Sequence, residues 1–259
     1  MKLAAIGDNC MDVYSTGEAY PGGNPVNVAV YYVRMGGEAS YTGVVGTDDY
    51  GRRMISAIAS KNVDVSHVAQ AEGKTAVTHV ELVNGDRVFG DYDEGVLAGF
   101  CPTQQQIDFV CGHDIVVTAL WGNVHGELAR IRARGVKVAY DAATRPDSKP
   151  AQTAVSSADY FFFSAKEDTQ ELREQMKALH TQGPELVVAT LGSAGSIAYD
   201  GRDYSTFGIV PCEAVDTLGA GDSYIAGFLK GIADGRSLTE CMRMGAENAS
   251  VTLGYFGAW

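Results

Sequence analysis

The runs IVVTAL (115–120), YFFF (160–163) and LVVATL (186–191) limit what this chain can fold into more than any other feature. Each is apolar almost without interruption, as a strand must be when both of its faces are covered, and strands of that kind lie parallel beneath helices. Together with Leu3–Ile6, Tyr41–Val45 and Val136–Tyr140 they predict strands at Asp114–Ala119, Asp159–Phe163 and Leu186–Leu191. Helical periodicity falls between them, at Pro25–Met35, Asp49–Ser60, Thr103–Cys111, Glu167–Thr181, Gly221–Ala233 and Ser237–Leu253. The repeated strand–helix order predicts an α/β fold with a doubly wound, mostly parallel sheet flanked by helices. Its length of 259 residues suits one domain with at most a small appendage.

Two stretches break the alternation. Thr75–Val83 and Arg87–Tyr92 read as a hairpin turning at Asn84-Gly85-Asp86, and Met11–Thr16 reads as a further strand. These are either surface decoration or a small β-lid, formed by residues 11–20 and 73–95, over the carboxyl ends of the main strands, where open α/β sheets bind ligands.

Charge and cysteine usage exclude several classes. A formal charge of −12 argues against a broad nucleic-acid or anionic-membrane surface. No stretch approaches the roughly 18 apolar residues of a membrane span, and the opening MKLAAIGDNC is too short for a signal peptide's apolar core. The five cysteines are scattered without a CxxC, which fits free thiols in a reducing cytoplasm. No HExxH marks a tightly held transition metal.

Two glycine-bearing stretches carry the chemistry. In GGNPVNVA, Asn24 suits a helix cap and Pro25 the first helical position, while Asn27 is left over in the first turn; capping and ligand contact remain open for this stretch. In DTLGAGD, Gly219, Ala220 and Gly221 precede an apolar-periodic helix. Their N–H groups would face outward at its amino terminus and bind an anion. Asp222 stands directly behind them. A carboxylate beside a bound phosphate repels it, so phosphate binding alone does not account for an aspartate there. A reaction that takes a proton from a hydroxyl attacking that phosphate does, although an N-cap aspartate after a flexible turn is the plainer alternative. The helix terminus is expected to hold Asp222 ionised with a low pKa. TLGSAGSIAYDG, from Thr190, offers Gly192 and Gly195 as a turn under a nucleotide, or equally as an ordinary hairpin connection. Walker A and GxGxxG sequences are both missing.

In this order, GGNPVNVA and DTLGAGD resemble the two signatures of the ribokinase-like, phosphofructokinase-B type carbohydrate kinases, and the likeness covers essentially the whole chain. Within that family IGDNCMDVY, DRVFGDYDEGV and YFGAW look most like the fructosamine kinases. The resemblance implies a ribokinase-like sheet with a β-lid, and ATP and magnesium as cofactors. It also implies phosphorylation of the 6-hydroxyl of a fructosyl-amino acid such as fructoselysine. By the same likeness Asp222 is the catalytic base and Gly219, Ala220 and Gly221 the anion hole. Asp8, Asp12, Gly23, Asn24 and Asn27 fall at sugar-contacting positions. Thr190, Gly192, Gly195, Gly219, Gly221 and Asn248 fall on the nucleotide side. Relatives organise magnesium through Asn-x-x-Glu; here the stretch is SAKE, which keeps Glu167 and puts Ser164 in place of the asparagine.

A fructosyl-amino acid carries hydroxyls, ammonium and carboxylate. Asp91, Asp93 and Glu94 are expected to attract the ammonium groups and Arg87 or Arg145 the carboxylate, with Tyr14, Phe89, Tyr92 and Trp121 as stacking candidates. A solvated charged hairpin and core packing explain the same residues. A simple-sugar or nucleoside kinase and a catalytically silent sugar-binding regulator remain the alternatives, and the lid offers an edge for a homodimer.

Overall fold

The computed structural model describes residues 1–83 and 86–259, and for residues 82–83 and 86–89 the backbone alone. In chain order the strands are β1 (Lys2–Ile6), β2 (Cys10–Tyr14), β3 (Ala19–Gly22), β4 (Glu38–Thr42), β5 (Val44–Gly46), β6 (Ala69–Ala71), β7 (Val77–Val83), β8 (Asp86–Asp93), β9 (Ile115–Ala119), β10 (Lys137–Asp141), β11 (Tyr160–Ser164), β12 (Leu186–Thr190), β13 (Ser196–Tyr199) and β14 (Tyr204–Phe207). The helices are α1 (Asn24–Arg34), α2 (Asp49–Ser60), α3 (Gln104–Val110), α4 (Leu128–Arg132), α5 (Lys149–Ala154), α6 (Gln170–His180), α7 (Ala220–Ala233) and α8 (Leu238–Leu253).

Eight strands form the central sheet in the order β14-β13-β12-β11-β10-β9-β1-β4. The six from β4 to β12 run parallel, and β13 and β14 extend the edge antiparallel. Successive residues of each parallel strand serve opposite faces. Val116, Val138, Phe161 and Val187 join one core, beneath α3 to α6. Val117, Ala139, Phe162 and Val188 join the other, beneath α1, α2, α7 and α8. Both faces are therefore dry, which is why the strands read as unbroken apolar runs.

The order β3-β2-β7-β8 makes a separate four-stranded sheet, in which β2 pairs parallel with β7 and antiparallel with β3. Its hairpin joins β7 to β8, and the turn at Asn84-Gly85 lies outside the described residues.

One expectation changes, and the structure adds detail at two further points. Tyr41–Val45 is not one strand: β4 ends at Thr42, and β5 leaves to pair with β6. The break is at Gly43, where an added Cβ would stand 2.8 Å from the Gly7 carbonyl oxygen. The stretch from Thr190 is a hairpin connection, with β12 turning through Gly192–Ala194 into antiparallel β13. Helices α4 and α5, of 5 and 6 residues, are too short to show a 3.6-residue period.

Candidate active site

The site is built where β1, β10 and α7 present their ends to α1. Helix α7 starts from Gly219, whose φ of +73° is left-handed. A side chain there would overlap the Tyr31 hydroxyl, so glycine is required twice over. The first intrahelical bond runs from the Ser223 N–H to the Gly219 carbonyl (2.8 Å), leaving the N–H groups of Gly221 and Asp222 ahead of it. An added Cβ at Gly221 would meet nothing within 4 Å, so an anion has room to approach that turn.

Asp222 does not cap its helix. Its Oδ1 accepts from Asn24 Nδ2 (2.8 Å) and its Oδ2 from Asn27 Nδ2 (2.7 Å). Asn24 does not cap α1 either: the N-cap is Gly23, and the Asn24 amide reaches both Asp222 and Asp141 Oδ2 (3.1 Å). The Asn24 backbone N–H donates to Asp8 Oδ2 (3.2 Å), and Asp141 Oδ1 accepts from the Ala143 N–H (2.8 Å). Three carboxyls thus surround one asparagine.

Their electrostatics reverse the expected low pKa of Asp222. Burial, and then the negative charges of Asp141 and Asp8, push it up to about 8, and the two asparagine amides only partly offset this. Asp222 is 8% exposed. Removing that much water outweighs a helix terminus, whose field is worth a kcal/mol or so at the surface. Burial likewise pushes Asp8 up to about 7 and Asp141 up to about 6.

Asp222 and Asp8 line a cavity of about 460 Å³ under the four-stranded sheet. Asp8, Asp12, Gly23, Asn24, Asn27, Tyr92 and Asp222 all border it, as do Trp121 and Arg145. Among the described residues Asp8 Oδ1 is buried there without a hydrogen-bond partner, an acceptor open to a hydroxyl donor. Arg87 and Phe89 fall among residues whose side chains lie outside the described set. Asp91, Asp93 and Glu94 are exposed and do not line the cavity; Asp93 accepts from the Gly95 N–H (3.0 Å) within its own turn.

The other candidates lie apart from it. Ser164 and Thr190 share a hydroxyl hydrogen bond (2.9 Å) at the adjacent ends of β11 and β12. Glu167 is exposed in an open depression shared with Lys166 and Thr169. Asn248 is buried: its Oδ1 accepts from Arg34 (2.6 Å) and its Nδ2 donates to the Ser223 carbonyl (2.7 Å). Among the described residues no cluster of three or more His, Cys, Asp or Glu is placed to hold a metal.

Sequence reading missed Asp141, although its place at the carboxyl end of a predicted strand was a usable signal. Cys10 and Thr78 also line the cavity, and Trp259 reaches the site by donating its indole N–H to Asn27 Oδ1 (2.7 Å).

A buried carboxylate thus stands at a helix amino terminus, over the carboxyl ends of a doubly wound sheet and beneath a β-sheet cover. The chain belongs to the pfkB family of carbohydrate kinases, which its residues 5–259 match. It is 43% identical to fructoselysine 6-kinase of Escherichia coli K12 over 99% of each chain. It is 33% identical to a fructosamine kinase of Bacillus subtilis, over 100% of this chain and 93% of the relative. Its backbone superposes on Arabidopsis thaliana ribokinase, solved with ribose and ATP, with a TM-score of 0.89 over 99% of this chain and 93% of that one, at 20% identity.

Proposed function

We infer that the protein is an ATP-dependent kinase that phosphorylates the 6-hydroxyl of a fructosyl-amino acid, fructoselysine foremost. The observation that carries the reading is the Asp222 carboxylate, bordering the cavity and gripped by two amides beside the open first turn of α7. In the reaction the sugar oxygen attacks the terminal phosphorus, its proton passes to Asp222, and the bond from phosphorus to the bridging oxygen breaks to release ADP. The N–H groups of Gly221 and Asp222 at the start of α7 receive the charge on the transferring group. A base with a pKa near 8 is well matched to neutral solution, where it is ionised in an appreciable fraction and still takes a proton readily.

Magnesium, when bound with the nucleotide, neutralises phosphate charge; Glu167 suits an ion that keeps several waters and borrows phosphate oxygens. Thr190, Gly192 and Gly195 are assigned to the nucleotide side with it. For the acceptor, Asp8 and Asp12 take sugar hydroxyls, Arg145 takes the amino-acid carboxylate, and Tyr92 and Trp121 flank the adduct at the cavity rim. The outer strands β3 and β8 of the four-stranded sheet offer edges for a second copy of the chain.

The test is ADP release with ATP and magnesium across fructoselysine, fructose-asparagine, fructose, ribose and adenosine, with Asp222→Ala alongside. Turnover confined to a fructosyl-amino acid and lost in the variant is expected. Faster turnover of ribose or adenosine, or turnover that survives D222A, would overturn the reading.

A further inference from the structure

The family resemblance rests partly on YFGAW, yet phosphoryl transfer by Asp222 gives that segment no task. It is held unusually firmly. The Gly257 N–H donates to Asp216 Oδ2 (2.7 Å), at the start of the same DTLGAGD stretch that carries Asp222. The hydroxyls of Tyr31 and Tyr255 both donate to the Ala258 carbonyl. The Phe256 ring lies 5.8 Å from Tyr14 on β2 and 5.7 Å from Tyr20 on β3, so the cover sheet holds the segment from the other side. Lys61, just past α2, sits 5.8 Å from the Trp259 ring. The indole therefore reaches Asn27 from a fixed direction.

An asparagine amide is nearly symmetric in shape, and its neighbours decide which end is oxygen. An indole N–H can only donate, so at 2.7 Å it dictates that Asn27 turns Oδ1 toward it and Nδ2 toward Asp222. The flipped amide would set Oδ1 against the Asp222 carboxylate and NH2 against the indole N–H, losing both bonds. We propose that Trp259 is a positioning residue for the catalytic carboxylate: by holding the Asn27 amide in one orientation, it keeps an N–H donor on Asp222 Oδ2.

Among the described residues the groups facing Asp222 are Asp141 from β10, Asp8 after β1, and Asn24, Asn27 and Tyr31 from α1, with Cys10 and Asp12 from β2, Tyr92 from β8 and Arg145 in the shared cavity wall. Trp259 is neutral and is not among them, so it acts on Asp222's protonation either through the Asn27 amide or through the water its ring excludes, and the variants below separate the two.

The experiment follows the Asp222 carboxyl carbon by NMR in ligand-free protein titrated with alkali, for the wild type and Trp259→Phe. Losing an enforced donor raises the midpoint, by roughly half to one pH unit in W259F. Its kcat is expected to fall about 3- to 30-fold, with the KM for ATP little changed, as expected for loss of part of a charged hydrogen bond. An unmoved midpoint in folded W259F would overturn the proposal. In a background of Asn27→Ala, W259F should add no further shift, and an additive shift would count against it. Trp259→His, uncharged at the alkaline end of the titration, can still donate a ring N–H and should keep the midpoint near the wild-type value even if W259F does not fold; a midpoint displaced by roughly half a pH unit or more would count against the proposal. The kinetic arm rests on the kinase reading above, whereas the titration does not. A shifted midpoint with no turnover of any fructosyl-amino acid would retire the substrate assignment and leave the positioning role standing.

Discussion

Asp222→Asn keeps the shape of the side chain and removes the charge, so it separates what the carboxylate does for the reaction from what it costs the fold. Burial and two acidic neighbours hold its pKa at about 8, some four units above its ordinary value. At ~1.4 kcal/mol per unit that sets a ceiling of roughly 5–6 kcal/mol on the cost of the ionised group. The asparagine gives part of this back. Asn24 and Asn27 both donate to Asp222, and an amide offers one oxygen where the carboxylate offers two, so one donor meets NH2 at about 1–3 kcal/mol. The folded state keeps a proton that the unfolded chain releases, so this group's contribution is most favourable at acid pH and is lost as pH climbs toward 8. D222N should therefore be more stable than the wild type by about 2 kcal/mol near pH 8.5, or roughly 4–8 °C in Tm, with little or no gain near pH 5. Scanning calorimetry at the two pH values measures this, and kcat measured alongside should fall by about 10²- to 10⁴-fold. A variant less stable than the wild type at the alkaline pH, or stabilised equally at both, would refute the account of a carboxylate strained by burial and repulsion.

Two further substitutions probe the same cluster. Asp141→Asn removes the larger of the two charges that raise Asp222, so the acid limb of kcat/KM for the sugar should move down by roughly one pH unit; a limb that stays put would show that burial alone sets it. Gly219→Ala forces a side chain into a left-handed position and against the Tyr31 hydroxyl, and should lower stability by at least about 1–2 kcal/mol in urea unfolding; an unchanged midpoint would mean that the turn relaxes freely.

The layered sheet was legible because its signal is local: a strand dry on both faces must be apolar throughout, as Phe161 to Phe163 are. Asp222 and the glycines before it were legible for a similar reason, since the geometry they need is written into adjacent residues. What escaped depends on residues far apart in the chain. Asp141 stands 81 positions from Asp222 and shares the Asn24 amide with it. The rise in Asp222's pKa escaped for the same reason, because a helix amino terminus is visible in sequence and the burial around it is not. The hairpin after Thr190 was ambiguous on its face: Gly-Ser-Ala-Gly turns a chain whether or not a nucleotide lies above it.

The two asparagines of NPVN are three positions apart, the spacing that sets side chains side by side on a helix face. On α1 this lets one amide hold each oxygen of Asp222. Amides suit this task better than cations would. A lysine or arginine at either position would grip the carboxylate as firmly, but its charge would pull the pKa down and leave a poor base. Neutral donors fix direction while lowering the pKa only modestly, and Asp141 and Asp8 raise it again from the far side. Orientation therefore comes from α1, and basicity from burial together with the carboxyls at the ends of β1 and β10. D141N therefore changes the charge beside Asp222 while leaving Asn27, and the indole that aims it, in place.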